Sequence, residues 1–309
     1  MAMEAVVSVS DLTKSYDPKL APAVNSVSFQ IGNAELFGVI GPDGAGKTSL
    51  FRLLSSLVKP EFGQACIFGF DTVNEYSRIR KKMGYVPGRF SLYPDLSIAE
   101  NLQFFAGMAG NGMTAMRGQV EVIYRQIEPF KNRRAGQLSG GMKQKLALCC
   151  ALIHNPDILF LDEPTTGVDP VARREFWTIL KGLKESGVTV VVSTAYMDEA
   201  TMCDRVALMH EGDILALDTP EKLIKCFAPD LYEIKSRNRF ALISLLRTFP
   251  EVISVYAFGA FCHLILEADF NETSLLGRLA LAGQEDVVFR RATPNIEDYF
   301  IHLLQNDQC

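Results

Sequence analysis

The chain has 309 residues, with 31 Lys and Arg against 36 Asp and Glu, a formal charge of 31 − 36 = −5. Hydrophobic residues make up 48% and charged residues 22%, which is the balance of a globular chain and excludes general disorder. A mildly acidic chain lacks the electrostatic footprint of a protein whose main ligand is nucleic acid, so nucleic acid is not an expected partner.

From the N-terminus, short apolar runs alternate with helical patterns. Residues 1–11 show no basic region followed by a long apolar stretch, so no secretion signal is expected. Val6–Leu12, Val24–Ile31 and Leu36–Ile40 are predicted strands, each rich in β-branched or aromatic residues and bounded by turn formers. Residues 48–57 carry Leu50, Leu53, Leu54 and Leu57 at helical spacing. The stretch from Ser91 to His154 reads as almost entirely helical, an insert within an α/β unit. Ile158–Leu161 and Val188–Val192 are apolar runs suited to strands buried on both faces, with the helical pattern Arg173–Lys184 between them. Strands alternating with helices predict a mostly parallel α/β sheet.

The pattern changes at Phe227-Ala228-Pro229-Asp230. Beyond it the order is strand 231–236, helix 239–248, strands 252–257 and 261–267, helix 272–282, strand 286–291 and helix 295–304. The first six elements spell β-α-β-β-α-β, the ferredoxin-like arrangement. Thr293 is the expected N-cap of the last helix, with Pro294 at its first position. Two domains are therefore expected, 1–228 and 229–309, with a helical subdomain at about 89–155. The longest uncharged apolar stretch, Val252–Leu266, is interrupted by Gly259 and His263 and falls short of the ~20 residues a membrane helix needs. Seven cysteines at 66, 149, 150, 203, 226, 262 and 309 match neither a disulfide framework nor a zinc site, so a soluble protein of a reducing compartment is expected. Cys149 and Cys150, in the apolar run Leu146–Ile153, read as small core residues.

Three motifs carry chemistry. Gly41-Pro42-Asp43-Gly44-Ala45-Gly46-Lys47-Thr48 fits GxxxxGK[ST] between a predicted strand and a predicted helix. Its glycines let backbone N–H groups wrap a phosphate at a helix N-terminus, and Ser49 lies in the first turn behind it. Lys47 is expected to reach the β- and γ-phosphates, and the Thr48 hydroxyl to ligate Mg²⁺. Ile158-Leu159-Phe160-Leu161-Asp162-Glu163 is a buried strand ending in two acids. Asp162 is placed to hold Mg²⁺ through water and Glu163 to orient and deprotonate an attacking water. In Leu138-Ser139-Gly140-Gly141-Met142-Lys143-Gln144-Lys145, a small polar residue and two glycines open a helix, either as a second anion-binding helix start or as an ordinary cap.

From Val6 to about Ala228 the sequence resembles the ATP-binding cassette (ABC) ATPases, carrying the phosphate loop, the LSGGMKQK signature, LDEP and Gly167-Val168-Asp169-Pro170 in family order. The fold implied is a P-loop ABC ATPase domain with a helical subdomain, followed here by the small α+β ferredoxin-like domain. The resemblance implies ATP and Mg²⁺ as ligands. It also implies a head-to-tail dimer with a second ABC ATPase subunit, identical or different. Each ATP would lie between one phosphate loop and the partner's signature residues Ser139, Gly140 and Gly141. Tyr16 would stack on adenine, unless it is a plain strand-edge aromatic, and Asp169 would lie at the dimer seam. The segment Phe90–Ser97 with Glu100-Asn101-Leu102 resembles the groove that accepts a short helix of an integral membrane permease. Phe90, Leu92, Tyr93 and Phe104 would supply either apolar contact there or core of the helical subdomain. The tail ending in Thr293–Phe300 resembles that of exporter ATPases of the multidrug and polysaccharide type. The implied location is cytoplasmic, peripheral on the inner face of the cell membrane.

Two positions depart from the family. Met83-Gly84-Tyr85-Val86-Pro87 leads to Gly88 instead of a glutamine that touches Mg²⁺ and water, and Val192-Ser193-Thr194 leads to Ala195 instead of a histidine that donates to the γ-phosphate. Losing one such donor typically costs ~10²–10³ in kcat. An ATP hydrolase with a weakened site is therefore expected, powering an exporter. The alternatives are an ATP-binding regulatory switch and a non-transport ABC protein with very slow hydrolysis.

Overall fold

The computed structural model describes residues 5–89, 91–108, 110, 119–284 and 286–306. The chain forms two compact units, Met1–Glu221 and Lys222–Cys309. The division falls inside helix α7 (Pro220–Lys225), a few residues before the 228/229 division expected from sequence.

The first unit holds two sheets. Strands β1 (Ala5–Lys14), β2 (Val24–Gly32), β4 (Phe62–Ile67) and β5 (Phe70–Asp71) form an antiparallel sheet in the order β2-β1-β4-β5. A second sheet is built from β3 (Leu36–Ile40), β6 (Met83–Val86), β7 (Ile158–Asp162), β8 (Thr189–Thr194), β9 (Arg205–His210) and β10 (Asp213–Asp218). Its order is β10-β9-β3-β8-β7-β6, parallel except for β10 against β9. The expected mostly parallel sheet thus excludes β1 and β2, whose partly exposed, alternating faces suit an antiparallel sheet. The central strands β3, β7 and β8 are buried at every residue, as their apolar runs require.

Helix α1 (Lys47–Leu54) contacts both sheets through β4 and β7. Leu50, Phe51, Leu53 and Leu54 are buried in the core, and Phe51 meets Phe160 edge to face at 5.8 Å between centroids. Each such side chain contributes about 1.5–3 kcal/mol of burial, so the start of α1, where the phosphate motif lies, is fixed between two sheets. The predicted C-terminal extension to residue 57 fails because Ser56 adopts φ +57°, outside the helical region.

The described residues between 91 and 154 are mainly helical as expected, with α2 (Tyr76–Arg80) preceding them and α3 (Ile98–Met108), α4 (Gln119–Ile127) and α5 (Gly140–Leu152) among them. A capping box starts α3: the Ser97 hydroxyl accepts from the Glu100 N–H (3.2 Å), and the Glu100 carboxylate accepts from the Ser97 N–H (2.7 Å). Those hydrogen bonds hold the Glu100 carboxyl below its ordinary range. Buried Asn101 donates to the carbonyls of Tyr93, Leu96 and Ser97 and accepts from the Tyr93 N–H, which fixes the loop before α3. Helix α6 (Pro170–Glu185) packs against β8.

The second unit runs β11 (Leu231–Lys235), α8 (Arg239–Leu246), β12 (Val252–Phe258), β13 (Phe261–Leu266), α9 (Glu272–Leu281), β14 (Val288–Arg291) and α10 (Ile296–Asn306). Its antiparallel sheet has the order β12-β13-β11-β14. Cys262, Leu264 and Leu266 of β13 share a core with Leu242, Leu246, Leu275 and Leu279 of α8 and α9. The alternate residue His263 bonds Asp298 of α10 at 2.6 Å, and Asp298 also accepts from the Tyr256 hydroxyl at 2.7 Å. Burial and the Asp298 carboxylate together push the Tyr256 phenol well above its ordinary range. The cap of α10 is Asn295 and not Thr293. Its side chain accepts from the N–H groups of Glu297 and Asp298, while the Asp298 carboxylate accepts from the Asn295 N–H in return.

Candidate functional site

The phosphate-type loop runs from the end of β3 to the start of α1. Two of its glycines are obligatory for packing: a Cβ at Gly41 would lie 2.1 Å from the Met209 carbonyl oxygen. One at Gly46, where φ is +106°, would lie 2.1 Å from that of Ala23. Asp43 and Gly44 are exposed at the loop tip, Ala45 is buried, and the Ala45 N–H donates to the Pro42 carbonyl. Gly44 through Ser49 line a cleft of about 170 Å³, closed on other sides by Ala23 and Glu163. Lys47 is 3% exposed. Its ammonium donates to the carbonyls of Gly41 (2.8 Å) and Pro42 (2.9 Å) and lies 3.1 Å from Glu163 Oε1, so all three protons are directed.

The end of β7 completes the cleft. Asp162 Oδ1 accepts from the Thr48 hydroxyl at 3.2 Å and from the Ser193 hydroxyl at 2.7 Å. A hydroxyl and a carboxylate, both hard oxygen donors, thus meet at the head of α1, and that pair fits a magnesium ion that keeps several waters. No group of three metal-binding acids, histidines or cysteines occurs among the described residues, and magnesium held beside phosphates needs none. Glu163 adopts φ +47°, an unfavourable region for a residue with a side chain. Its N–H donates to both the carbonyl (3.1 Å) and the hydroxyl (2.9 Å) of Ser193, and its Oε2 accepts from Thr166 at 3.3 Å. Ser193, at the end of β8, is a site residue that sequence reading names only as part of the run leading to Ala195. A hydroxyl closing an otherwise apolar strand is the signal that points to it.

Ser139 caps α5 by accepting from the Met142 N–H at 3.4 Å. Gly140 and Gly141 press on the following motif: a Cβ at 140 would lie 3.2 Å from the Gly167 carbonyl, and one at 141 would lie 2.8 Å from Ala172. Gly140 and Gly141 are therefore packed on the 167–172 segment, and Ser139, Gly140 and Gly141 do not line the phosphate-loop cleft of their own chain. Asp169 caps α6, its Oδ1 accepting from the N–H groups of Val171 (3.1 Å) and Ala172 (3.0 Å). Tyr16 is 56% exposed beyond β1, with the Lys14 ammonium 5.5 Å over its ring. It also lies outside the cleft lining.

Gly88 sits against Asp162, where a Cβ would lie 3.1 Å from its carbonyl oxygen. Ala195 follows Thr194 at the end of β8 and presents no donor. Beside it, buried Glu199 accepts from the hydroxyls of Thr194 (2.6 Å) and Thr165 (3.0 Å), a cluster that sequence reading does not find because nothing local marks the acid as buried.

A larger groove, about 580 Å³, opens on the helical insert, lined by Tyr85, Leu92, Phe105, Met108, Cys150 and His154 among others. Of the four residues named for permease contact, Leu92 lines this groove. Tyr93 and Phe104 instead meet edge to face, 4.8 Å between centroids, as exposed side chains, and Phe105 takes the lining place. Phe90 lies outside the described residues. Burial, the Asp162 charge and an opposing contribution from Arg52 set the Tyr85 phenol at about 12.

The fold and this cleft define a P-loop nucleotide-binding domain. The ABC transporter family pattern matches residues 24–166. The probable multidrug ABC transporter ATP-binding protein YbhF of Escherichia coli (strain K12) is 42% identical over 306 residues, 97% of this chain and 52% of that protein. The Nod factor export ATP-binding protein I of Burkholderia orbicola (strain AU 1054) is 33% identical over 97% of both chains. Among solved structures, the dimeric post-hydrolysis state of the ATP-binding cassette MJ0796 bound to ADP and Pi covers 69% of this chain and 98% of its own. It has a TM-score of 0.61 and 29% identity. The chain belongs to the ATP-binding proteins of ABC transporters. It spans about half the length of YbhF and nearly all of the Nod factor export protein.

Proposed function

We propose that this chain binds Mg-ATP and hydrolyses it to drive an ABC exporter whose channel is a separate integral membrane permease. The observation that carries the proposal is the convergence of Lys47, Thr48 and Glu163 on one cleft at the head of α1, with Asp162 accepting from the Thr48 hydroxyl behind it. Backbone N–H groups and Lys47 bind the β- and γ-phosphates, Thr48 and Asp162 hold the magnesium ion, and Glu163 orients water in line with the γ-phosphate. A γ-phosphate competes with Glu163 for the Lys47 ammonium, so nucleotide binding frees the carboxylate to act as base. Ser139, Gly140 and Gly141 complete the site of a partner cassette, which fits their packing away from their own cleft. Asp169 lies at the seam, and exposed Tyr16 stacks on adenine.

We take the groove beside Leu92 and Phe105 as the docking place of a permease helix, and the location as cytoplasmic and peripheral to the cell membrane. No helix among the described residues is long and apolar enough to cross a membrane. The second unit is read as a ferredoxin-like domain, on its β-α-β-β-α-β order and its sheet order β12-β13-β11-β14. We take the domain limits as 1–228 and 229–309, which keeps α7 whole in the first domain, where the compact units divide within it. Relatives named for multidrug transport and for Nod factor export support the export direction.

Gly88 and Ala195 favour a second reading, in which the chain's own site turns over slowly while it completes the site of a different, fully equipped cassette. The double length of YbhF leaves room for a second such cassette. Purification in detergent tests both readings. Recovery of a polytopic protein supports transport, recovery of a second ATPase supports the heterodimer, and recovery of ribosomes or nucleic acid overturns the proposal.

A further inference from the structure

Glu163 is held at φ +47°, and a residue in that region stays there only when its surroundings over-determine it. The glutamine and histidine that would restrain the neighbouring segments are absent at 88 and 195. Two residues after Glu163 is Thr165, and one residue after Ser193, which receives the Glu163 N–H, is Thr194. Both threonines are 1% exposed, and their hydroxyls converge on the same oxygen, Glu199 Oε2, at 3.0 and 2.6 Å. The Thr194 hydroxyl also accepts from the Tyr196 N–H at 3.0 Å. Glu199 Oε1 is buried without a hydrogen bond, and Arg173 Nη1 lies 3.9 Å from it. The Arg173 guanidinium covers the Tyr196 ring at 4.3 Å. One buried carboxylate therefore ties the 163–169 loop to the end of β8, and Arg173 balances its charge while pinning the residue after Ala195.

We propose that Glu199 is a positioning residue for hydrolysis: through Thr165 and Thr194 it aims Glu163 by contacts within the protein, in place of a side chain at 195. The inference rests on the ATPase reading, and the two fail in different experiments. The full chain, with its partner subunits where they co-purify, is compared with T165V/T194V, T165S/T194S and E199Q. The measurements are steady-state hydrolysis, affinity for a fluorescent ATP analogue and thermal unfolding. The valine pair is expected to lower kcat at least tenfold, with KM and analogue affinity within twofold of wild type. The serine pair, which keeps both hydroxyls, retains wild-type kcat. E199Q, which keeps an acceptor, loses less than the valine pair. Equal losses in kcat and analogue affinity, or wild-type kcat in the valine pair, overturn the inference. If the valine pair does not fold, T165V alone is used: a kcat loss of threefold or more at unchanged affinity supports the inference, and no loss overturns it. A wild-type chain that binds the analogue but hydrolyses no ATP overturns the ATPase reading itself.

Discussion

The two sides of the nucleotide cleft are built to different standards. On the α1 side every functional group is fixed more than once: Lys47 has three directed partners, Asp162 receives two hydroxyls, and two glycines are required by backbone oxygens 2.1 Å away from where a Cβ would sit. Positions 88 and 195 on the other side carry no polar side chain of their own, and the order there comes from Glu199, Arg173 and the end of β8. On the proposed function, binding of phosphate and metal would use only the first side and sensing of the γ-phosphate the second, so the difference would separate affinity from turnover.

The largest effects fall on the well-built side. Lys47→Ala removes the charged donor to the phosphates, and Gly46→Ala drives a methyl group into the Ala23 carbonyl at a left-handed φ. Either variant is expected to lower kcat/KM for ATP by about 10²–10³ or more, with nucleotide affinity lost in parallel by equilibrium binding. Retained affinity in Lys47→Ala would place the phosphates elsewhere and erase the contrast between the two sides.

Glu163→Gln separates chemistry from binding. General-base function contributes typically ~10²–10⁴, so hydrolysis falls by that factor while ATP remains bound. The glutamine also loses its ion pair with Lys47, so nucleotide affinity is expected to rise slightly as the ammonium is freed. A variant that hydrolyses at the wild-type rate would remove Glu163 from the mechanism.

Restoring the poor side is the sharpest test of the comparison. In Gly88→Gln the new Cβ meets the Asp162 carbonyl at 3.1 Å, which a backbone shift of a few tenths of an ångström relieves, and Ala195→His enters a half-buried position. The double variant is expected to raise kcat about tenfold or more with little change in KM, since two donors of a shared unit do not add independently. Wild type turning over as fast as the restored protein would mean that Glu199 and its partners already supply what the missing residues would.

The same contrast explains what the sequence reveals. The phosphate loop and the Asp162-Glu163 strand end are legible because their chemistry is local: a strand, a turn with forced glycines and a helix start lie within a few residues. The Glu199 cluster joins residues from three separate segments, and no short window contains it. In the fold, β3, β7 and β8 stand out as continuous apolar runs, whereas membership of β1 and β2 in a separate antiparallel sheet depends on pairing with β4, whose run Phe62–Ile67 is half exposed. In the second unit the six-element order is readable, but the cap of α10 is misplaced by two residues. There Asn295 competes with Thr293, and Asp298 decides between them by bonding back to the Asn295 N–H.

The smallest effect concerns Asp169, where two roles overlap. As the N-cap of α6 it satisfies two backbone donors, so Asp169→Ala is expected to destabilise the first unit by about 1 kcal/mol. For a unit of this size that is a fall of roughly 2–4 °C in Tm. Asparagine caps helices as well as aspartate, so Asp169→Asn retains the wild-type Tm. The two variants divide structure from function: if Asp169 is only a cap, hydrolysis follows Tm, and the asparagine variant is fully active. If its charge is also used across a cassette seam, Asp169→Asn loses activity at wild-type stability, and it does so only under conditions where cassettes pair. Since the signature residues Gly140 and Gly141 pack directly on this segment, that loss would show that the well-built side of one cassette reaches its partner through the start of α6.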